Sequence, residues 1–123
     1  MRRRLWTAIG LLAFASALAP DTAARAGYGA IAWDPESGKA GWIWNRPTPK
    51  EAAERALREC GATGCRLVVK PTTECAALAT IANGKAIGAA ARKTKDDARL
   101  AALTDCQKRK AGDCVVRASN CNE

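Results

Sequence analysis

The chain repeats itself at a distance of 46 residues, and any fold it adopts must be buildable from one unit used twice. Gly38-Lys39-Ala40 returns as Gly84-Lys85-Ala86, Arg46 as Arg92, Thr48 as Thr94 and Ala52 as Ala98. Ala56-Leu57 returns as Ala102-Leu103, Glu59-Cys60 as Asp105-Cys106, and Cys75 as Cys121. Cys65 corresponds to Cys114 once a short insertion around 108–111 is allowed for. Matches at turn, cap, helix-face and cysteine positions together indicate an internal duplication.

Each copy carries the same local signals. A short apolar strand leads into a turn, Ser37-Gly38 in one copy and Asn83-Gly84 in the other, read as two-residue hairpin turns because glycine and asparagine tolerate positive φ. A second strand follows over 40–45 or 86–91. The helix then opens with Thr48 as cap, Pro49 at its first position and Glu51 closing a capping box; Thr94 and Asp97 repeat the pattern. Ala52, Ala56, Leu57 and Cys60 share one helical face, as do Ala98, Ala102, Leu103 and Cys106, and Gly61 ends the first helix. A third strand closes each copy over 66–70 and 115–119. The predicted fold class is α+β: two tandem β-β-α-β repeats, about 28–75 and 76–121, forming one small domain about a pseudo-twofold axis.

An interior this rich in alanine buries little area per residue, and chain entropy nearly cancels it. The six cysteines, Cys60, Cys65, Cys75, Cys106, Cys114 and Cys121, supply what is missing if they are oxidised. Symmetry favours one of the fifteen pairings that six cysteines allow. Cys60 then joins Cys65 and Cys106 joins Cys114, each between a helix end and the next strand, while Cys75 joins Cys121 across the two copies. Zinc is disfavoured by the C-x4-C and C-x7-C spacings and by the absence of histidine; no metal and no cofactor is expected.

Disulfides imply an oxidising compartment, and the N-terminus agrees. Met1-Arg2-Arg3-Arg4 precedes an apolar run from Leu5 to Ala19, the pattern of a secretory signal peptide. The run is shorter than the roughly 20 residues of a membrane span. Ala24-Arg25-Ala26 offers a small-x-small cleavage site, so residues 1–26 are expected to be removed and 27–123 to form the exported domain, periplasmic or secreted. That portion keeps 16 cations and 11 acids, a net charge of +5: enough to favour acidic partners, too little for a nucleic-acid binder.

The stretch Tyr28-Gly-Ala-Ile-Ala-Trp33, the two Ala-Leu-x-x-Cys helix ends at Cys60 and Cys106, Gly64-Cys65 entering a strand, and Cys75-Ala-Ala-Leu resemble a bacterial exported family, domain of unknown function 4189. The resemblance runs from about Tyr28 to Cys121. It implies an exported, disulfide-bonded domain with no established activity and no catalytic residues to carry over.

Without histidine, the usual serine and cysteine nucleophile arrangements cannot be assembled. No cysteine is spare, and Glu51, Glu54 and Glu59 show no pairing with Asp34 or Glu36. The protein is therefore read as a non-enzyme. The feature open to a binding role is aromatic: Trp33, Trp42 and Trp44, with Tyr28 ahead and Arg46 behind, all lie in the first hairpin. Alternation puts Ile31, Trp33, Trp42 and Trp44 on one face, with Trp33 opposite Trp42. The 46-residue equivalents are Ala77, Ala79, Gly88 and Ala90. Large aromatics dominate small cores, so this face is core if it is covered. Leu78 and Ile87 fall on the other face of the second hairpin, however, and identical packing of the copies would turn the tryptophans outward as a binding face. The expected function is a small binding module engaging another protein, inhibitor-like or immunity-like. Alternatives are a cell-wall or carbohydrate binder using the tryptophans, a structural envelope protein, and an uncharacterised hydrolase.

Overall fold

Both helices begin where a threonine oxygen takes a backbone N–H that has no partner within the helix. The computed structural model describes residues 27–109 and 112–123; the expected signal peptide, 1–26, and two residues of the expected insertion lie outside the described residues. Thr48 Oγ1 accepts from Glu51 N–H at 3.1 Å ahead of α1 (Pro49–Cys60), and Thr94 Oγ1 from Asp97 N–H at 3.1 Å ahead of α2 (Lys95–Arg109). Gly61, at φ 70°, ends α1 and donates its N–H to Leu57 C=O.

The strands are β1 (Tyr28–Trp33), β2 (Ala40–Arg46), β3 (Arg66–Thr72), β4 (Cys75–Thr80), β5 (Ile87–Arg92) and β6 (Val115–Cys121). They form two antiparallel three-stranded sheets, ordered β2-β1-β3 and β5-β4-β6. The class is α+β, and the element order is β-β-α-β followed by β-β-α-β. Among the described residues no helix is long and apolar enough to cross a membrane.

One face of each sheet carries a helix, and the other faces meet. Ala30, Ala32, Ala52, Ala56 and Cys60 pack β1 onto α1; Ala77, Ala79, Ala98, Ala102 and Cys106 pack β4 onto α2. Small side chains and glycines let backbones approach: Gly41 lies against Ala56, Glu59 and Cys60, and Gly88 against Ala102 and Cys106. Each alanine face is thus covered within its own half. The large side chains lie between the sheets. Ile31, Trp33, Val69, Leu78 and Ile87 form that layer, with Trp42 and Trp44 packed against it. At about 1.5–3 kcal/mol for each large residue buried, this layer is the main apolar contribution.

The three bridges are Cys60–Cys65, Cys106–Cys114 and Cys75–Cys121, the set that symmetry favoured. One part of that expectation is corrected. Cys75 opens β4 and is the register partner of Cys121 on β6, so the third bridge lies within the second sheet and does not tie one sheet to the other. The hairpin turns are corrected as well. Asp34 N–H bonds Lys39 C=O and Ile81 N–H bonds Ala86 C=O, so both loops hold four residues, 35–38 and 82–85. Gly38 (φ 75°) and Gly84 (φ 72°) take the left-handed positions, and Asn83 does not.

Candidate functional site

The longer turn moves the first hairpin's register by two. Ile31 pairs with Trp42 and Trp33 with Ala40, where Trp33 was expected opposite Trp42. A shift of two preserves the faces, and Ile31, Trp33, Trp42 and Trp44 do share one side. That side is the inter-sheet core. Trp33 is 8 % exposed, and its indole Nε1–H donates to Gly84 C=O at 2.7 Å. Trp42 and Trp44 are half-buried against the same layer, with the Arg117 guanidinium 5.7 Å from the Trp42 ring centroid. The tryptophan face is therefore not an open binding platform. Tyr28 packs on the helix side of the sheet, and Arg46 is half-buried with its Nε–H enclosed. The five residues expected as one face are divided between two.

The physical reason is a single extra residue. Trp33–Ala40 matches Thr80–Ile87 in register, and Gly41 matches Gly88 in lying against its helix, so the hairpins correspond at 47 residues. Asn45, with φ 57°, is bulged out of β2 and returns the correspondence to 46 at Arg46 and Arg92, the partners of Tyr28 and Cys75. An offset of one inverts every face assignment. Leu78 and Ile87 thus join Ile31 between the sheets, and Ala77, Ala79, Gly88 and Ala90 face α2.

The hairpin tips meet each other. Gly38 and Gly84 are in mutual contact, each too close to the other's backbone for a side chain. Arg117 Nη1 donates to Gly38 C=O at 3.2 Å, as Trp33 does to Gly84. In the first turn Asp34 is 5 % exposed and accepts from Ser37 Oγ–H (2.6 Å), Glu36 N–H (3.1 Å) and Ser37 N–H (3.4 Å). The Ser37 hydroxyl and then the Glu36 amide hold its carboxyl below the ordinary value of 3.8. This is turn architecture: no second carboxylate is bonded to it.

Concave surface lies elsewhere, beside β5. A groove of about 680 Å³ runs between β5 and α2, floored by Ala89, Ala90 and Ala101 and walled by Arg92, Leu100 and Lys108. Leu100 is 66 % exposed. Asp105 reaches from α2 over the strand, accepting from Ala89 N–H at 3.3 Å and from Arg109 Nε–H at 3.3 Å. A smaller cleft of about 150 Å³ opens on the other side of β5, between the sheets, where Arg66 and Arg109 meet Trp33 and Val68. Arg66 stands 5.5 Å from the Trp33 ring centroid. Sequence reasoning passed over this region because its floor is alanine. The available signal was the contrast in bulk, Ala101 standing 46 residues after Arg55 and Ala90 47 after Ile43.

Among the described residues, no group of three or more histidine, cysteine or carboxylate side chains is placed to hold a metal ion. The carboxylates of α1 are dispersed, with Glu54 in an exposed pair with Lys50 at 3.9 Å.

Comparison with known proteins agrees with this architecture. The uncharacterized proteins Rv1813c of Mycobacterium tuberculosis and Mb1843c of Mycobacterium bovis are each 41 % identical over 75 residues, 58 % of this chain and 50 % of theirs. The chain thus spans about half the length of these relatives. The NMR structure of Rv1813c superposes with a TM-score of 0.58 at 34 % identity, covering 77 % of this chain and 74 % of that one. Residues 28–121 match the family described as Domain of unknown function (DUF4189), and the chain belongs to that family.

Proposed function

We propose that the protein is a small exported binding module, non-enzymatic, that engages another protein in the periplasm or outside the cell through the groove between β5 and α2. The observation that carries this is an exposed, charge-walled groove on a frame closed by three disulfides. The interior has already used its aromatic residues for packing. What the groove offers a partner is shape, charge and the exposed Leu100, the material of a protein contact. Stacking on a sugar ring needs an open indole face; with Trp33 buried and Trp42 and Trp44 half-buried, the packing favours a protein contact over the carbohydrate alternative.

Export is supported by the basic and apolar N-terminus and by cysteines that are all paired. The exported form begins near Gly27. We further propose that the domain arose by duplication and keeps an approximate twofold axis near Gly38 and Gly84. The twice-used element order, the register match of the hairpins and the reciprocal glycine contact support this.

A photo-reactive phenylalanine derivative at Leu100, in the full chain expressed in its native host, tests the role. The expected result is a discrete protein adduct in the envelope fraction, competed away by excess unlabelled protein. Adducts to glycan strands or lipid alone would overturn it. Intact mass of the recovered protein should start near Gly27 with every thiol oxidised; a chain retaining Met1 with free thiols would overturn the export.

A further inference from the structure

Of the four strands at sheet edges, three are bent out of regular pairing. Against its neighbour, β2 carries an extra residue at the Asn45 bulge, β3 has two register breaks, and β6 has one opposite Leu78–Ala79. Bulges are a standard way to stop an edge from recruiting another strand. The exception is β5, which pairs with β4 in unbroken register from Ile87 to Arg92 and holds neither proline nor lysine.

Its outward backbone groups can be assigned. The bond from Ile81 N–H to Ala86 C=O makes 81–86 a hydrogen-bonded pair, so 79–88, 77–90 and 75–92 are bonded pairs as well. Ile87, Ala89 and Ala91 then point their N–H and C=O groups away from β4, consistent with Asp105 taking the N–H of Ala89. The Arg92 side chain takes Ala91 C=O at 2.7 Å. Both caps are side chains that an incoming backbone can replace. Clefts lie on both sides of this edge, and cations line each: Arg92 and Lys108 toward α2, Arg66 and Arg109 toward the first sheet. Against them stand the carboxylates Asp97 and Asp105, the latter already engaged by Ala89 and Arg109.

Resting on the protein-binding role proposed above, we infer that β5 is a docking edge for an extended acidic segment of the partner protein. The segment adds as a fourth strand to the β5-β4-β6 sheet. Main-chain bonds to Ile87, Ala89 and Ala91 provide the grip, and successive acidic side chains, pointing in turn to the two faces, reach Arg92 and Lys108 on one side and Arg66 and Arg109 on the other. Asp105 is the guard that keeps the free edge from pairing indiscriminately.

The probe is a blocked peptide of about ten residues built on a Glu-Glu-Val repeat, which puts acids on both faces and is long enough for one strand, titrated into the disulfide-intact protein and followed by amide NMR. Binding should move and protect the amides of Ile87, Ala89 and Ala91. Of two probes N-methylated on alternate residues, one should lose about tenfold or more in affinity and the other should retain it, because only alternate N–H groups face the host strand. Arg92→Glu with Lys108→Glu should weaken the acidic probe about tenfold, Asp105→Asn should strengthen it, and a Lys/Val probe should not bind. Shifts confined to another edge, or equal tolerance of both N-methyl series, would overturn the inference. So would self-association of the free protein through β5, which would make the occupant a second copy. If the Leu100 adduct forms equally well in the Arg92→Glu, Lys108→Glu variant, the docking edge fails while the protein-binding role stands. If no protein adduct forms at all, the role itself fails.

Discussion

A methyl group at Gly88 would be driven into the backbone of α2 at Ala102 and Cys106, and one at Gly41 into α1 at Ala56 and Cys60. Backbone cannot step aside as a flexible side chain can, so overpacking here should exceed the usual cost of about 1–3 kcal/mol. Gly88→Ala and Gly41→Ala are each expected to lower the urea midpoint strongly. Gly112→Ala, which meets only an Ile81 methyl at 3.6 Å, should stay within about 0.5 kcal/mol of the parent. Asp34 makes a different residue-scale prediction. Its carboxyl is held below 3.8 by the Ser37 hydroxyl first, so its stabilising contribution is complete above that value and is lost as pH falls through the lower folded value. Urea midpoints measured down the acid limb should therefore fall less steeply for Ser37→Ala than for the parent. Parallel limbs would remove Asp34 from the account.

Among elements, the C-terminal tail and the β2 bulge depend on each other. Asn122 Oδ1 accepts from Asn45 N–H at 2.9 Å, and its amide donates to Thr72 C=O (3.1 Å) and Glu74 C=O (2.8 Å). Asn45 Oδ1 in turn accepts from Glu123 N–H at 2.7 Å. One side chain thus ties the first hairpin to the segment joining the halves. Asn122→Ala should cost about 0.5–1.5 kcal/mol, since it removes several hydrogen bonds whose backbone partners are mostly exposed to water. Hydrogen exchange at Asn45 should quicken more than at the middle of β4. The same bulge decides which faces of the two hairpins correspond, which gives a residue with no catalytic chemistry a determining place in the architecture.

Over the whole molecule, covalent and apolar terms act on different parts. Closing a longer loop removes more entropy from the unfolded chain, so Cys75–Cys121, separated by 46 residues, should contribute about 4 kcal/mol. Cys60–Cys65 and Cys106–Cys114, at separations of 5 and 8, should each contribute about 2–3 kcal/mol. Replacing both cysteines of the long loop by serine should therefore be the most damaging of the three paired substitutions in thermal melts. Tryptophan emission reports the apolar layer. With Trp33 buried and Trp42 and Trp44 half-buried between the sheets, the oxidised protein should emit blue of exposed indole and resist acrylamide. Reduction should shift it red. Emission like that of free indole in the oxidised protein would contradict the inter-sheet packing.

Local chemistry was legible in the sequence. Thr48, Thr94, Pro49 and Gly61 act on neighbours a few residues away, so the helix ends could be read directly; the strands and the α+β class followed from local patterning, and the cysteine pairing from the symmetry of the sequence repeat. Two things depended on contacts between distant parts. The partner of a strand face is chosen only when the sheets meet, and one bulged residue at Asn45 reversed the correspondence on which the outward tryptophans rested. The groove beside β5 was likewise invisible, because it is made by the absence of bulk at Ala90 and Ala101, and a gap exists only once walls from two elements stand around it.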